Sequence, residues 1–222
     1  MREDLYDRSM GIGSFYHIYN RGVAKNAIFS DNNDYQRLLE TISFYLDDKR
    51  SSKLSTARKL RDALPLLTSQ PIAPIANIHA YCLMSNHFHL LLEEVTEGGI
   101  SRFMRRVLLS YTRYFNTRHN RVGPLFQGTF RFVRVEDDEQ FLHLTRYIHL
   151  NPYVARIVDD PERYPWSSYS SYRQENITRL CDPSLALKLA GSPANYREFL
   201  IDFASYARDL ELIKHHAIDE TD

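Results

Sequence analysis

The residues of this sequence best suited to chemistry are His87 and His89, which flank Phe88 at the start of a strongly apolar run. Side chains of a β-strand alternate between its two faces, so both imidazoles would lie on one face and Phe88 on the other. Two imidazoles side by side on a rigid strand can bind one metal ion. The alternative is structural, with one or both rings satisfying hydrogen bonds on a half-buried sheet.

A second segment, Tyr147-Ile148-His149-Leu150-Asn151-Pro152, favours the metal site because it offers a nucleophile and a third ligand at helical spacing. Residues four apart share a helix face, so Tyr147 and Asn151 can point together at the histidine pair. A divalent cation on His87, His89 and the amide oxygen of Asn151 would withdraw charge from a phosphate oxygen while the Tyr147 phenolate attacks. These residues predict phosphodiester cleavage that releases a DNA 3′ oxygen and leaves a phosphotyrosine.

The predicted cofactor is Mg²⁺ or Mn²⁺, because three neutral ligands with phosphate and water suit these ions. A closed zinc site would need a fourth protein ligand, and the sequence does not offer one. The two cysteines, Cys82 and Cys181, are too few for a cysteine zinc site or a disulfide framework. Pro152 disfavours helical dihedrals at the preceding residue, so Asn151 is expected at the very end of its helix.

Two other tyrosines are rivals for the role of nucleophile, since the chain contains fifteen. Tyr111 and Tyr114 lie on a predicted helix that follows Gly98-Gly99 and has Ser101 as its expected N-cap. Both fall on the apolar stripe of that helix, which indicates core or stacking residues.

The segment from Ser101 to Val135 is rich in arginine and contains no lysine and no acid. Arginine forms forked contacts with phosphates, so the segment predicts a DNA-binding surface. The alternative is a solvated helix face with a few ion pairs, which the lack of a local acid disfavours. The predicted DNA-binding residues are Arg102, Arg105, Arg106, Arg113, Arg118, Arg121, Arg131 and Arg134.

Composition sets wider limits. A chain of 222 residues with a formal net charge of zero can bury a proper core, and its neutrality argues against indiscriminate coating of nucleic acid. The first residues have no apolar signal core, and no stretch reaches the roughly 18 apolar residues of a membrane span. We therefore expect a cytoplasmic, nucleoid-associated protein without a membrane partner.

The order of predicted elements is strand, helix, strand, strand, helix, strand and a final helix that bears Tyr147. This is the βαββαβ plan of an α+β, ferredoxin-like antiparallel sheet, with helices on one face and the other face open. Residues 1–172 are expected to form the main domain, with an insertion at about 49–74 that could include a short helix. Residues 173–222 are expected to form a C-terminal helical extension.

Three motifs occur in order: Leu83–Leu92 with the histidine pair, Leu125–Arg131, and Tyr147–Pro152. Together they resemble the HUH single-tyrosine transposases, most of all those associated with repetitive extragenic palindromes (REP), over about Phe15 to Tyr172. The resemblance implies a metal on the histidine pair and a helix-borne tyrosine that nicks single-stranded DNA beside a hairpin. It also implies a 5′-phosphotyrosine link and a free 3′ hydroxyl. Insertion-sequence relatives have glutamine where this chain has Asn151.

Other functions stay open on the sequence. A ferredoxin-like sheet with exposed aromatics also serves single-stranded nucleic-acid binding modules. A transposase that has lost activity and acts as a regulator or binder is a further alternative. The expected partner is single-stranded DNA with a palindromic hairpin, bound by a monomer or a homodimer.

Overall fold

The computed structural model describes residues 10–49, 54–59, 71–173 and 180–204. Its strands are β1 (Phe15–Arg21), β2 (Ala76–Met84), β3 (His87–Glu94) and β4 (Arg131–Val135). Its helices are α1 (Asn32–Tyr45), α2 (Leu54–Lys59), α3 (Gly99–Arg118), α4 (Asp138–Val154), α5 (Tyr169–Tyr172) and α6 (Ser184–Ala190), and residues 193–204 are also helical.

The four strands form one antiparallel sheet in the order β2-β3-β1-β4. Helix α1 connects β1 to β2, and α3 connects β3 to β4, so each helix crosses between strands that are not joined by a hairpin. The predicted ferredoxin-like fold class is therefore confirmed. A turn at Ser85-Asn86 joins β2 and β3 as a hairpin.

One face of the sheet is packed under α1 and α3. It carries Ile18, Phe88 and Leu90, which are almost fully buried. Phe88 contacts Phe126, and Phe126 in turn contacts Tyr111 of α3. These residues occupy every second position of β1 and β3, so the strand alternation leaves the histidines on the other face.

The second face, expected to be open, is partly covered by α4. Phe141 of this helix packs edge-on against Phe15 of β1, with ring centroids 4.9 Å apart. Phe141 and Ile148 are buried, and burying these apolar side chains requires α4 to lie against the sheet. This position brings the helix that bears Tyr147 onto the histidine face.

The start of α3 differs from the prediction that Ser101 is its N-cap. The N-cap is Gly98, in the left-handed conformation, and Ser101 lies inside the helix. The side chain of Glu94, at the end of β3, accepts hydrogen bonds from Gly99 N at 3.0 Å and Ile100 N at 2.8 Å. A buried carboxylate from the neighbouring strand thus satisfies the first N–H groups, a role that local sequence assigns to serine.

The predicted insertion begins and ends at one place in the fold. Asp47 and Pro74 form an isolated bridge, and the Asp47 carboxylate accepts hydrogen bonds from Ile72 N and Ala73 N. Helix α2 lies where a short helix is predicted, but residues 50–53 and 60–70 fall outside the described chain. The extension from residue 173 is helical at α6 and at 193–204, and its last part, 205–222, is likewise outside it.

Across the described ranges, no helix combines the length and apolar character needed to span a bilayer.

Candidate active site

The register of β1 and β3 places the candidate site residues in two rows across the sheet. Tyr19 of β1 pairs with His89 of β3, and Arg21 pairs with His87. Because directly paired residues share a face, both histidines, Tyr19 and Arg21 lie on the side covered by α4. The predicted placement of His87 and His89 on one face is confirmed.

Hydrogen bonds hold each histidine of the pair through Nδ1. His87 Nδ1 lies 2.7 Å from Asn86 Oδ1, and the Asn86 amide nitrogen donates to Lys25 O at 3.0 Å. His89 Nδ1 lies 2.9 Å from His17 Nε2, and the two rings stack. A proton on each Nδ1 leaves each Nε2 with its lone pair, the form in which imidazole binds a metal.

His17 is a site residue that the sequence reasoning missed. It sits in the middle of β1 in an aromatic-rich strand, and nothing in its local pattern separates it from a packing residue. Only the pairing of β1 with β3 brings it beside His89, which is 72 positions away. Its hydrogen bond fixes the orientation of the His89 ring.

The three imidazoles are neutral at pH 7. Burial lowers the pKa of His17 to about 4 and that of His87 to about 4, with the nearby Arg21 charge adding to the effect at His87. Burial and the two neighbouring histidines hold the pKa of His89 well below its usual value. A neutral imidazole can bind a cation without first losing a proton.

Tyr147 approaches this cluster from α4. Its ring meets His89 edge-on with centroids 5.4 Å apart, and it meets His17 in the same way at 6.0 Å. About half of the Tyr147 side chain is exposed, 51%, so a ligand can reach it. The helix therefore brings Tyr147 to the histidine pair, as predicted.

Tyr147 and the histidine pair line a cavity of about 340 Å³ at the end of β1 and β3. Its lining is polar and aromatic, and among the described residues that form it there is no carboxylate. The lining residues are Tyr19, Asn20, Arg21, His87, His89, Gln127, Thr129, Arg131 and Tyr147.

Asn151 does not line this cavity. It lies one turn beyond Tyr147 on α4, and its amide nitrogen donates to Tyr147 O at 2.8 Å. Helix α4 continues through Pro152 to Val154, so Asn151 is not at the helix end as predicted. The lining residues that carry an amide side chain are Asn20 and Gln127. In the described part of the chain, no cluster of three His, Cys, Asp or Glu residues could hold a metal ion, so an additional ligand would be an amide, water or phosphate oxygen.

The two rival tyrosines lie on α3, on the other face of the sheet. The Tyr111 hydroxyl donates to Ile28 O at 2.6 Å in a fully buried setting, and the Tyr114 hydroxyl donates to Asp34 Oδ1 at 3.0 Å. Burial raises the pKa of both phenols. Neither can attack a phosphate bound at the histidine pair.

Residues 74–151 match the family model described as "Transposase IS200 like". This match spans the histidine pair and Tyr147. Residues 74–151 are therefore similar to IS200-like transposases. A solved structure described as the REP-associated tyrosine transposase bound to a REP hairpin superposes with a TM-score of 0.53 over 82% of this chain and 94% of that chain, at 15% identity. No curated protein matches the sequence. The predicted resemblance to these transposases is confirmed.

Some of the eight predicted DNA-binding arginines form ion pairs with acids from other parts of the chain. Arg118 forms ion pairs with Asp31 and Asp34, both at 2.6 Å, and Arg106 pairs with Asp48 at 2.9 Å. The lack of an acid between Ser101 and Val135 does not leave these arginines unpaired. Asp31 and Asp34, at the start of α1, and Asp48, after its end, reach them. Their predicted DNA contacts stay predictions.

Other predicted DNA-binding arginines also have local roles. Arg102 donates to Glu97 O at 2.6 Å near the start of α3, Arg121 donates to Asn116 Oδ1 at 3.0 Å, and Arg134 pairs with Glu136 at 3.6 Å. Arg105 and Arg113 are exposed on α3. Arg131 alone of the eight lines the cavity.

Proposed function

We propose that the protein is a metal-dependent DNA strand-transfer enzyme that nicks single-stranded DNA beside a hairpin by attack of Tyr147. The observation that carries the proposal is the approach of one half-exposed tyrosine to a pair of neutral histidines in one cavity. The IS200-like segment supports a role in DNA transposition.

Tyr147 would act as the nucleophile in this reaction. The Tyr147 oxygen would form a bond to phosphorus, the bond from phosphorus to the DNA 3′ oxygen would break, and the phenolic proton would end on the released 3′ hydroxyl. The product is a 5′-phosphotyrosine. A second DNA 3′ hydroxyl would then attack the same phosphorus and release the Tyr147 oxygen, which rejoins the strands by the reverse of the first step. Tyr147 comes from a helix packed on the sheet, so its ring enters the site already oriented.

The histidines fit a divalent cation by their donor chemistry. His87 and His89 would hold Mg²⁺ or Mn²⁺ through Nε2, since both Nδ1 atoms are engaged with Asn86 and His17. Bound there, the cation would supply Lewis-acid stabilisation of charge on the phosphate. His17 would orient the His89 ring, the kind of outer contact that maintains a ligand's geometry.

A single strand is the expected substrate because the described part of the fold provides no means of opening a duplex. Melting costs about 1.4 kcal/mol per base-pair step. The solved transposase with the same fold is bound to a REP hairpin, and we propose a palindromic hairpin beside the cut for this chain as well.

The test is formation of a covalent adduct on a denaturing gel with end-labelled hairpin DNA, a single-stranded flank and Mn²⁺. The wild-type protein should form an adduct through the 5′ phosphate, and Tyr147→Phe should form none while binding DNA within a few fold. Tyr19→Phe is the matched control, because Tyr19 lines the same cavity from β1; it should retain the adduct.

The outcomes separate the proposed functions. An adduct that persists in Tyr147→Phe would reject the assigned nucleophile. Wild-type protein that binds the hairpin in Mn²⁺ but never forms an adduct would instead support a binding or regulatory module. Equal cleavage of the fully annealed duplex would contradict the preference for single strands.

A further inference from the structure

Two arginines extend the histidine face toward the open side of the cavity. Arg21 of β1 is paired with His87, and Arg131 of β4 is paired with Tyr19. Tyr19 and Arg21 are two positions apart on β1, so Arg21 and Arg131 are diagonal neighbours, with Cα atoms about 7–8 Å apart. Two long guanidinium side chains at that spacing can reach the same anion.

The loop before β4 holds this arrangement in place. Gln127 N donates to Arg21 O at 2.9 Å, Val23 N donates to Leu125 O at 3.0 Å, and Asn20 Nδ2 donates to Gly128 O at 3.3 Å. The end of β1 that carries Arg21 is therefore tied to the chain leading into β4. These hydrogen bonds hold together the backbone segments that carry Arg21 and Arg131.

The absence of an ion pair in the described ranges distinguishes Arg21 and Arg131 from Arg106 and Arg118 of α3. Their position at the cavity distinguishes them from Arg105 and Arg113. Both Arg21 and Arg131 are exposed, both line the cavity, and no carboxylate lines it among the described residues. Within the described chain neither forms an ion pair, whereas Arg118 and Arg106 are engaged by acids on the opposite side of the sheet. Guanidinium groups without a local acid, at the mouth of a cavity, suit an anionic ligand.

We propose that Arg21 and Arg131 form a phosphate clamp that holds the single-stranded DNA backbone across the cavity, next to the phosphate that Tyr147 attacks. This inference rests on the proposed function and deepens it, because it assigns the single-strand contact to this pair and not to the arginines of α3. Arginine is suited to the role, since its planar fork can bind two oxygens of one phosphate. Arg21 was absent from the residues that the sequence singled out.

The experiment measures how much a single-stranded flank adds to hairpin affinity. Fluorescence anisotropy, with EDTA and in a Tyr147→Phe background, gives the dissociation constant for a REP-type hairpin with and without a ten-nucleotide 5′ flank. The double variant Arg21→Ala/Arg131→Ala is compared with Arg105→Ala/Arg113→Ala, which removes the same charge from two exposed positions of α3. Circular dichroism checks that both are folded.

The clamp predicts that the flank strengthens binding and that Arg21→Ala/Arg131→Ala removes about tenfold or more of this gain. The log–log salt slope of flanked DNA should become shallower by about 0.7, because the two side chains bind one shared phosphate. Arg105→Ala/Arg113→Ala should keep the full gain. Arg21→Lys should keep the salt slope but lose affinity, because it retains the charge without the fork.

An unchanged flank gain in Arg21→Ala/Arg131→Ala, or an equal loss in Arg105→Ala/Arg113→Ala, would overturn the clamp. The binding assay requires neither metal nor cleavage, so its result does not depend on whether the protein forms an adduct. A protein that forms no adduct but loses its flank gain in Arg21→Ala/Arg131→Ala would retain the clamp and reject only the catalytic proposal.

Discussion

Helix α4 is anchored by His149, two residues after Tyr147, and we expect its replacement by leucine to loosen the site. His149 is fully buried. Its Nδ1 lies 2.8 Å from the Tyr196 hydroxyl, and its Nε2 lies 2.8 Å from Ser168 Oγ. These contacts join α4 to the chain beside β2 and to the helix at 193–204.

The donor and acceptor of the hydrogen bond between His149 and Tyr196 can be assigned by starting from the Thr145 hydroxyl. Thr145 Oγ1 donates to Leu142 O, so it must accept from the Tyr196 hydroxyl. The Tyr196 oxygen then accepts from His149 Nδ1, which leaves the lone pair of the neutral ring on Nε2, 2.8 Å from Ser168 Oγ. Burial lowers the pKa of His149 to about 3, which keeps the ring in the neutral form that this chain requires.

The expected cost of His149→Leu is about 3 kcal/mol. Two buried hydrogen bonds are lost at about 1 kcal/mol each, and an imperfect fit of the new side chain adds about 1 kcal/mol. For a chain of this size the melting temperature should fall by about 6–12 °C. A shift of Tyr147 by a fraction of an ångström to about 1 Å should slow adduct formation by about tenfold to 100-fold.

Thermal unfolding followed by circular dichroism gives the stability, and initial rates of adduct formation at a temperature where all variants are folded give the effect on Tyr147. His143→Leu is the control, because His143 is an exposed residue of the same helix; we expect its melting temperature to change by less than about 2 °C. His149→Gln keeps a donor and an acceptor and should be intermediate. A melting temperature of His149→Leu within 2 °C of wild type, or an unchanged rate, would refute the anchoring role.

Three further outcomes follow from the geometry. Titration calorimetry should show that His89→Ala abolishes Mn²⁺ binding while Asn151→Ala leaves it within about threefold, because Asn151 does not line the cavity. Urea unfolding of the metal-free protein should show that the free energy of unfolding falls as the pH drops from 7 to 5. The expected loss is about 2 kcal/mol for each histidine whose folded pKa is near 4 or below. Each of these imidazoles binds its proton near pH 6.5 in the unfolded chain, before it does so in the folded protein, so the stabilisation is present above that pH and is lost below it. Glu94→Ala should cost about 2–3 kcal/mol in the same assay at pH 7, and Ser101→Ala less than about 0.5, because Glu94 caps α3.

Much of the fold could be predicted because its signals are local. Alternation in the segment His87-Phe88-His89 fixes which side chains share a face, and helical spacing places Phe141, Ile148 and Tyr147 on α4. The side of the sheet that α4 covers is not a local property. It follows from the need to bury Phe141 against Phe15, a contact between residues far apart in sequence.

What the sequence did not show has physical causes of the same kind. Helical spacing gives the direction of a Cβ atom but not the path of a side chain, so Asn151 shares a face with Tyr147 yet its amide bonds back to the Tyr147 carbonyl. Counting charges along one segment ignores acids that fold onto it: Arg118 lies 84 positions from Asp34 and binds it at 2.6 Å. His17 and Arg21 needed the register of β1 against β3 to be seen as site residues.

The register of β1 against β3 is set by residues on the face of the sheet that packs under α1 and α3, opposite the cavity. Ile18, Phe88 and Leu90 are buried under α1 and α3, and a slip of one residue in β1 would expose Ile18 while turning Tyr19 into the core. Gly22 fixes the end of the strand, since a Cβ there would lie 2.1 Å from Asn26 O. Burial of the apolar residues thus determines which of their neighbours meet at the cavity. The position of Arg21 beside His87 is therefore a consequence of core packing.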